Sequence, residues 1–196
     1  INWDKDDLTG SLTLTLNGLE ANLEKRGFPF NSQGGTTLSI FIHRGSTDTW
    51  VINIGDSNIV LFDKSSHTVL TESHCPSNID EFKRVMTTHP NAVFRYTSKD
   101  PKTPLEWIPI YNQVNNEWVK AEVDSKEKNV KNAMGDFAVE LSDGSKIYLA
   151  MTRSIGDFNL KYFGISSKPY IKKLGPLTED QFIIIASKLR GWWRRI

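Results

Sequence analysis

Three stretches of this chain bring together residue types that do chemistry. Gly34-Gly35-Thr36-Thr37 could cradle a phosphate, because glycines let backbone N–H groups close around an anion. No Gly-Lys-Ser follows, so the stretch is not a P-loop. A glycine pair at a strand start also lets one backbone pass close to a neighbouring strand, and that plainer role is the one expected here. His74 and Cys75 are both metal-ligating types. Adjacent ligands point in different directions, and no CxxC or HxxxH completes a set, so a surface or half-buried loop is expected. Asn53-Ile54-Gly55-Asp56-Ser57-Asn58 sets Gly and Asp in a polar turn between Trp50-Val51-Ile52 and Ile59-Val60-Leu61-Phe62. Gly supplies an unusual φ, and Asp and Asn tolerate tight turns, which predicts a hairpin over 49–63. Its flanking runs are nearly continuous in apolar residues, which places both strands inside a covered sheet.

The elements that must position these stretches follow from periodicity. Leu8, Leu12, Leu16, Leu19 and Leu23 recur at spacings of four and three and predict a helix over 8–26, with Glu20, Glu24, Lys25 and Arg26 on its other side. Asp6 and Asp7 suit its first turn, and Gly27 suits its end. Gly10 and Gly18 weaken this helix, and Leu12-Thr13-Leu14-Thr15-Leu16 also alternates as a strand would. Leu38 to His43 reads as a strand, Thr71 to Ser77 as a turn, and Asp80 to Met86 as a short helix. From His89 to Asn132 the pattern weakens, and prolines break any long element. Trp107, Ile108, Ile110 and Tyr111 suggest a packed flap, and Asp124 to Lys131 is a solvated charge run. This excursion is where partner or substrate specificity is expected. Phe137 to Leu141 and Lys146 to Met151 flank an Asp143-Gly144 turn and predict a second hairpin. Lys168 to Leu174 reads as an edge strand, and Gln181 to Ser187 as a strongly buried one. Antiparallel strands with helices kept apart from them make an α+β fold.

Composition narrows the function classes. A formal charge of +1 over 196 residues gives no case for general nucleic-acid affinity. The single cysteine, Cys75, excludes an internal disulfide framework and an all-Cys zinc site, and fits a reduced, intracellular setting. No window approaches 18 apolar residues, and no signal peptide is expected. The chain opens on Ile1 rather than Met, which reads as an internal piece. Residues 188–196 follow the last strand without a turn and form an atypical tail rich in Arg and Trp.

The order of these pieces resembles one family, the metal-dependent serine/threonine protein phosphatases of type 2C. Gly34-Gly35-Thr36-Thr37 resembles the family's Gly-Ser-Thr-Ala strand start, and Asn53-Ile54-Gly55-Asp56-Ser57 its Val-Gly-Asp-Ser-Arg segment. His74-Cys75-Pro76-Ser77-Asn78, with Glu81 and Arg84, resembles its Asp-His-Lys-Pro segment and the Glu-x-x-Arg-Ile helix after it. Thr152-Arg153-Ser154-Ile155-Gly156-Asp157 resembles Ser-Arg-x-x-Gly-Asp. Gln181 to Ser187 resembles the strand that runs into Ala-Ser-Asp-Gly. The resemblance covers residues 8–187 and implies an antiparallel β-sandwich with flanking helices, incomplete at both ends, with a flap over about 89–132.

What the resemblance implies about chemistry is divided. The family hydrolyses phosphate monoesters with two divalent ions, Mg²⁺ or Mn²⁺, that activate a water. Its Asp-Gly-His-Gly-Gly segment, which supplies the bridging Asp, occurs nowhere in these residues. Ser73 stands where the family places the Asp of Asp-His-Lys-Pro, and Lys188 stands where it places the Asp of Ala-Ser-Asp. Neither can serve a hard cation as that Asp does. Asp56 and Asp157 match supporting positions that hold turns and neighbouring loops, and Arg153 is expected to pair with a carboxylate rather than a phosphate. The chain is thus expected to bind neither Mg²⁺ nor Mn²⁺. It reads either as an enzyme whose ligands lie elsewhere or as a pseudophosphatase that docks a phosphoprotein or phosphopeptide. Neither nucleic acid nor membrane is expected as a partner, and a monomer in the cytoplasm or nucleus is.

Overall fold

The computed structural model of the chain describes residues 8–26, 34–44, 48–97, 109–121, 134–140 and 146–187. Its elements in chain order are α1 (Leu8–Lys25), β1 (Gly35–Thr36), β2 (Leu38–Arg44), β3 (Asp48–Ile54), β4 (Asn58–Asp63) and β5 (Ser66–Val69). There follow α2 (Ile79–Thr88), β6 (Val93–Thr97), β7 (Tyr111–Val114), β8 (Glu117–Lys120), β9 (Met134–Glu140) and β10 (Lys146–Leu149). The chain then returns through β11 (Ile155–Gly156), α3 (Phe158–Lys161), β12 (Tyr170–Leu174) and β13 (Phe182–Ala186). The charge run at 124–131, Trp107, Ile108, Gly27, Asp6, Asp7, the Asp143-Gly144 turn and the tail from Lys188 lie outside the described residues. Contacts divide the chain into two compact units, one formed up to Ser73 and from Arg153 onward, the other by His74–Thr152.

The first unit is layered. One antiparallel sheet has the order β12-β3-β2, and a second has the order β13-β4-β5. Strand period two sends alternate residues of β3 to opposite faces. Trp50, Ile52 and Ile54 meet Leu8, Leu12 and Leu16 of α1, with Leu38, Ile40 and Ile42 of β2 beside them. Val51 faces the other way, into a cluster with Phe41, Ile59, Leu61, Leu70, Leu174 and Ile183 that joins the two sheets. Each fully buried Val or Ile contributes about 1.5–3 kcal/mol relative to exposure. The alternation in residues 12–16 thus yields to the helical reading, because Leu8, Leu12 and Leu16 cover one sheet face together.

Three expectations are corrected here. Residues 49–63 form two central strands, as the unbroken apolar runs require, but not a hairpin. β3 pairs with β2 and β12, β4 pairs with β5 and β13, and the turn between them crosses from one sheet to the other. Apolar runs specify strands, whereas a short polar turn fits both an in-plane reversal and a crossing. β13 is not strongly buried: Phe182 is 55% and Ile185 48% exposed, because β13 has one strand neighbour among the described residues, β4. Glu20 does not face solvent on the far side of α1. It continues the Leu8, Leu12, Leu16 spacing of four and turns inward, its side chain only 13% exposed.

The second unit holds the sheet β10-β9-β6 and the hairpin β7-β8. The predicted pairing of β9 with β10 is present, with Lys146 opposite Glu140. α2 is capped by Asn78, whose side chain accepts from the Asp80 N–H, and Asp80 and Glu81 suit its positive end. Phe82 of α2 packs edge-to-face with Phe94 and Trp118 and tilted against Tyr111, with ring centroids 4.6–4.9 Å apart. Of the residues expected to pack in the flap, Ile110 is fully buried and Tyr111 nearly so.

Candidate functional site

The turns at 34–37, 53–58 and 153–157 meet within the first unit. Gly55 has φ +102°, and a Cβ there would collide with the Thr37 side chain and crowd the Arg153 carbonyl. Only glycine satisfies both the torsion and the approach. Beneath this turn a fully buried Asn53 does the positioning. Its Oδ1 accepts from Ser39 Oγ at 2.8 Å, and its Nδ2 donates to the Gly55 carbonyl at 3.0 Å and the Glu72 carbonyl at 2.8 Å. Thr37 and Ser57 share a 2.8 Å hydrogen bond, which fastens the first strand start to the crossing turn.

The glycine pair serves close backbone approach, as expected. Gly35 lies opposite Gly156 in the β1–β11 pair, and a side chain on Gly156 would strike the Gly34 carbonyl. The Asp157 N–H donates to that same carbonyl at 2.8 Å, and the Asp157 carboxylate lies over the Gly35 Cα, where a Cβ would otherwise stand. Asp157 itself adopts the left-handed region at φ +48°, which Asp tolerates better than most residues.

Each sequence-predicted residue can now be placed. Asp56 is half-buried at the crossing turn and makes no hydrogen bond or ion pair among the described residues. Arg153 is half-buried, and its Nη1 donates to the Lys168 carbonyl at 2.9 Å. Ser73 is half-buried at the last residue of the first unit's leading part. Lys188 lies outside the described residues. The His74-Cys75 loop, expected at the surface or half-buried, is half-buried at Cys75 only: His74 is fully buried, and its carbonyl accepts from the Thr152 N–H at 2.9 Å. Cys75 is half-buried, with its Sγ 3.2 Å from Ser77 Oγ.

Two glutamates take clamping roles that their sequence context does not assign them. Glu20 pairs with Lys161 at 2.9 Å and accepts from the Gly156 N–H at 3.1 Å, while Lys161 also donates to the Ser154 carbonyl at 2.7 Å. This ties α1 and α3 to the Arg153–Asp157 turn. In the second unit Glu81 accepts from Arg84 at 3.0 Å and from Thr152 Oγ1 at 2.7 Å, and Arg84 donates to the Thr152 carbonyl. A lone acid in register with a leucine stripe was the available signal for Glu20.

The sequence profile of protein phosphatase 2C matches residues 15–99 and 112–193. The chain belongs to the protein phosphatase 2C family. Among solved structures, it superposes on serine-threonine phosphatase 2C from Toxoplasma gondii with a TM-score of 0.51 and 15% identity, over 92% of this chain and 46% of that one. It superposes on a sex determining protein of C. elegans with a TM-score of 0.57 and 17% identity, over 94% of this chain and 35% of that one. At such identity these likenesses establish the fold alone, and this phosphatase 2C chain spans less than half the length of either. The comparison with curated protein sequences gives no match.

The phosphatase 2C family is metal-dependent, so the donor set decides what the described residues can hold. A pair of hard divalent ions needs several carboxylates converging on one point. Among the described residues no three His, Cys, Asp or Glu side chains lie close enough to share an ion. The Asp157 carboxylate lies over the Gly35 Cα, and Ser73 offers only a hydroxyl. Among the described residues no two-ion centre is assembled.

Proposed function

We propose that this chain is a protein serine/threonine phosphatase-like domain that keeps the phosphatase 2C fold without hydrolysing phosphate monoesters itself. It acts in the cytoplasm as a pseudophosphatase, a phosphoprotein-binding or regulatory module. One observation carries this reading: the carboxylates that survive, Asp56 and Asp157, are built into turns rather than converging with others on a common point. The substitutions at Ser73 and Lys188 support it. Mn²⁺ and Mg²⁺ belong to the family's chemistry and are not bound by these residues.

A second reading has its own observation. The chain covers 46% and 35% of the two solved structures, so a complete ligand set supplied by further sequence would make an active enzyme. The test is thermal unfolding of this chain with and without millimolar Mn²⁺, beside hydrolysis of a phosphoserine peptide. The expected result is a cooperative melt that ignores Mn²⁺, with no turnover. A ligand at a hundredfold excess over its Kd would add about 2.7 kcal/mol. A clear upward shift together with turnover would overturn the proposal in favour of the enzyme.

A further inference from the structure

The second unit is one continuous stretch of chain, His74–Thr152, whereas the first is assembled from the segments before and after it. The first unit therefore closes only when β12 and β13 pair with β3 and β4. The strand pairs described in the second unit are internal to it: β6 with β9, β9 with β10, and β7 with β8. This unit also has its own apolar centre. Phe82 and Val85 of α2, Phe94 of β6, Ile110 and Tyr111 are all buried. The Ile110 N–H donates to the Phe94 carbonyl at 3.1 Å, which joins the residue leading into β7 to β6. A stretch with its own ladders and its own core has the physical form of a cooperative opening unit.

The two ends of this unit are fastened to each other. Thr152, its last residue, donates its N–H to the carbonyl of His74, its first, at 2.9 Å. The Thr152 Oγ1 donates to Glu81 Oε2 at 2.7 Å, and the Thr152 carbonyl accepts from Arg84 Nη2 at 3.1 Å. His74, Glu81 and Thr152 are all buried, so these bonds are made away from water and each is costly to lose. The N–H, the hydroxyl and the carbonyl of one residue thus close the neck of the unit from within. Melting a stretch whose ends lie side by side leaves the remaining chain with one long loop. The entropy of holding such a loop closed grows only with the logarithm of its length, so the first unit can outlast the second.

We propose that His74–Thr152 is a module that opens and recloses on its own, latched at its neck by Thr152 on Glu81, while the first unit stays folded. A partner that binds only the closed module would stabilise it without acting on the first unit. The proposal is independent of whether the domain hydrolyses phosphate.

The test is hydrogen exchange of the 196-residue chain in a series of urea concentrations below its unfolding transition, read peptide by peptide. Amides of α2, β6 and β9 are expected to converge on one opening free energy, lower than the one shared by β3 and β4. Thr152→Val keeps the shape of the side chain and removes its hydroxyl. It should speed exchange in α2, β6 and β9 about tenfold, as loss of a hydrogen bond to a buried carboxylate does, and leave β3 and β4 unchanged. Thr152→Ser keeps the hydroxyl and should retain most of the protection. Ile52→Val, in the core of the first unit, is the converse variant: it should speed exchange in β3 and β4 and spare the second unit. The wild-type isotherms decide the matter even if Thr152→Val does not fold. A single isotherm shared by β3, β4, α2, β6 and β9 overturns the proposal. So does a Thr152→Val chain in which β3 and β4 speed up as much as α2, or a second unit with no protection even without urea.

Discussion

Each unit is fastened by one inward-turned glutamate, yet the two clamps are built differently. Glu81 sits at 4% side-chain exposure on a short helix, beside Arg84 one turn away, and closes on Thr152. Glu20 sits on a long helix and reaches Lys161 and Gly156, far along the chain, with 13% exposure for itself and 23% for the lysine. The local clamp can form as soon as α2 does, and only its Thr152 contact waits for distant chain. The long-range clamp exists only once β11 and α3 have docked. Burial and the number of donors, not the residue type, set what each is worth. Loss of the more deeply buried acid should therefore cost more.

Glu81→Ala sharpens that contrast most. It leaves Arg84 without its carboxylate and Thr152 Oγ1 without its acceptor, and should lower stability by about 3 kcal/mol in urea unfolding. Hydrogen exchange should locate the loss in His74–Thr152. Glu20→Ala should cost about 2 kcal/mol, and the Gly156 amide should lose its protection. Equal losses for the two variants would break the comparison.

A smaller effect separates the units by pH. Burial, with Tyr96 nearby, pushes the Tyr111 hydroxyl up to about 12 from its usual 10, while its proton is held toward the Ser77 carbonyl at 2.7 Å. The raised value means that the unfolded chain ionises first. The stability it lends is complete below pH 10 and is lost as pH rises toward 12. Base titration followed by exchange should open peptides around Tyr111 before those of β3, and Tyr111→Phe should shrink the difference.

How much of this could be read in the sequence depends on the kind of information each feature needs. The helix over Leu8–Lys25 and the central strands were legible because a stripe or an apolar run records burial directly. Strand partners were not, because no residue in 53–58 states which sheet the chain enters next. β5 went unread: Ser66 to Val69 is exposed throughout, so burial leaves no mark on it. The glycine pair was legible as a close approach, and Gly156 completes the reason. Asp157 filling the space over Gly35 was not, since that contact joins positions more than a hundred residues apart. Glu20 was misplaced because its register with Leu16 carried less weight than its charge.

The crossing turn at Gly55 has a consequence for how the chain is made. Because β3 and β4 do not pair with each other, each must find a mate that emerges from the ribosome about 120 residues later, β12 for one and β13 for the other. Until then the nascent polypeptide carries two apolar strands, Val51 to Ile54 and Ile59 to Leu61, each still lacking one neighbour. Such distant closure slows folding and prolongs the time in which chaperones must shield the chain. Translation pausing before Tyr170 would lengthen that exposure, whereas pausing after Ala186 would not.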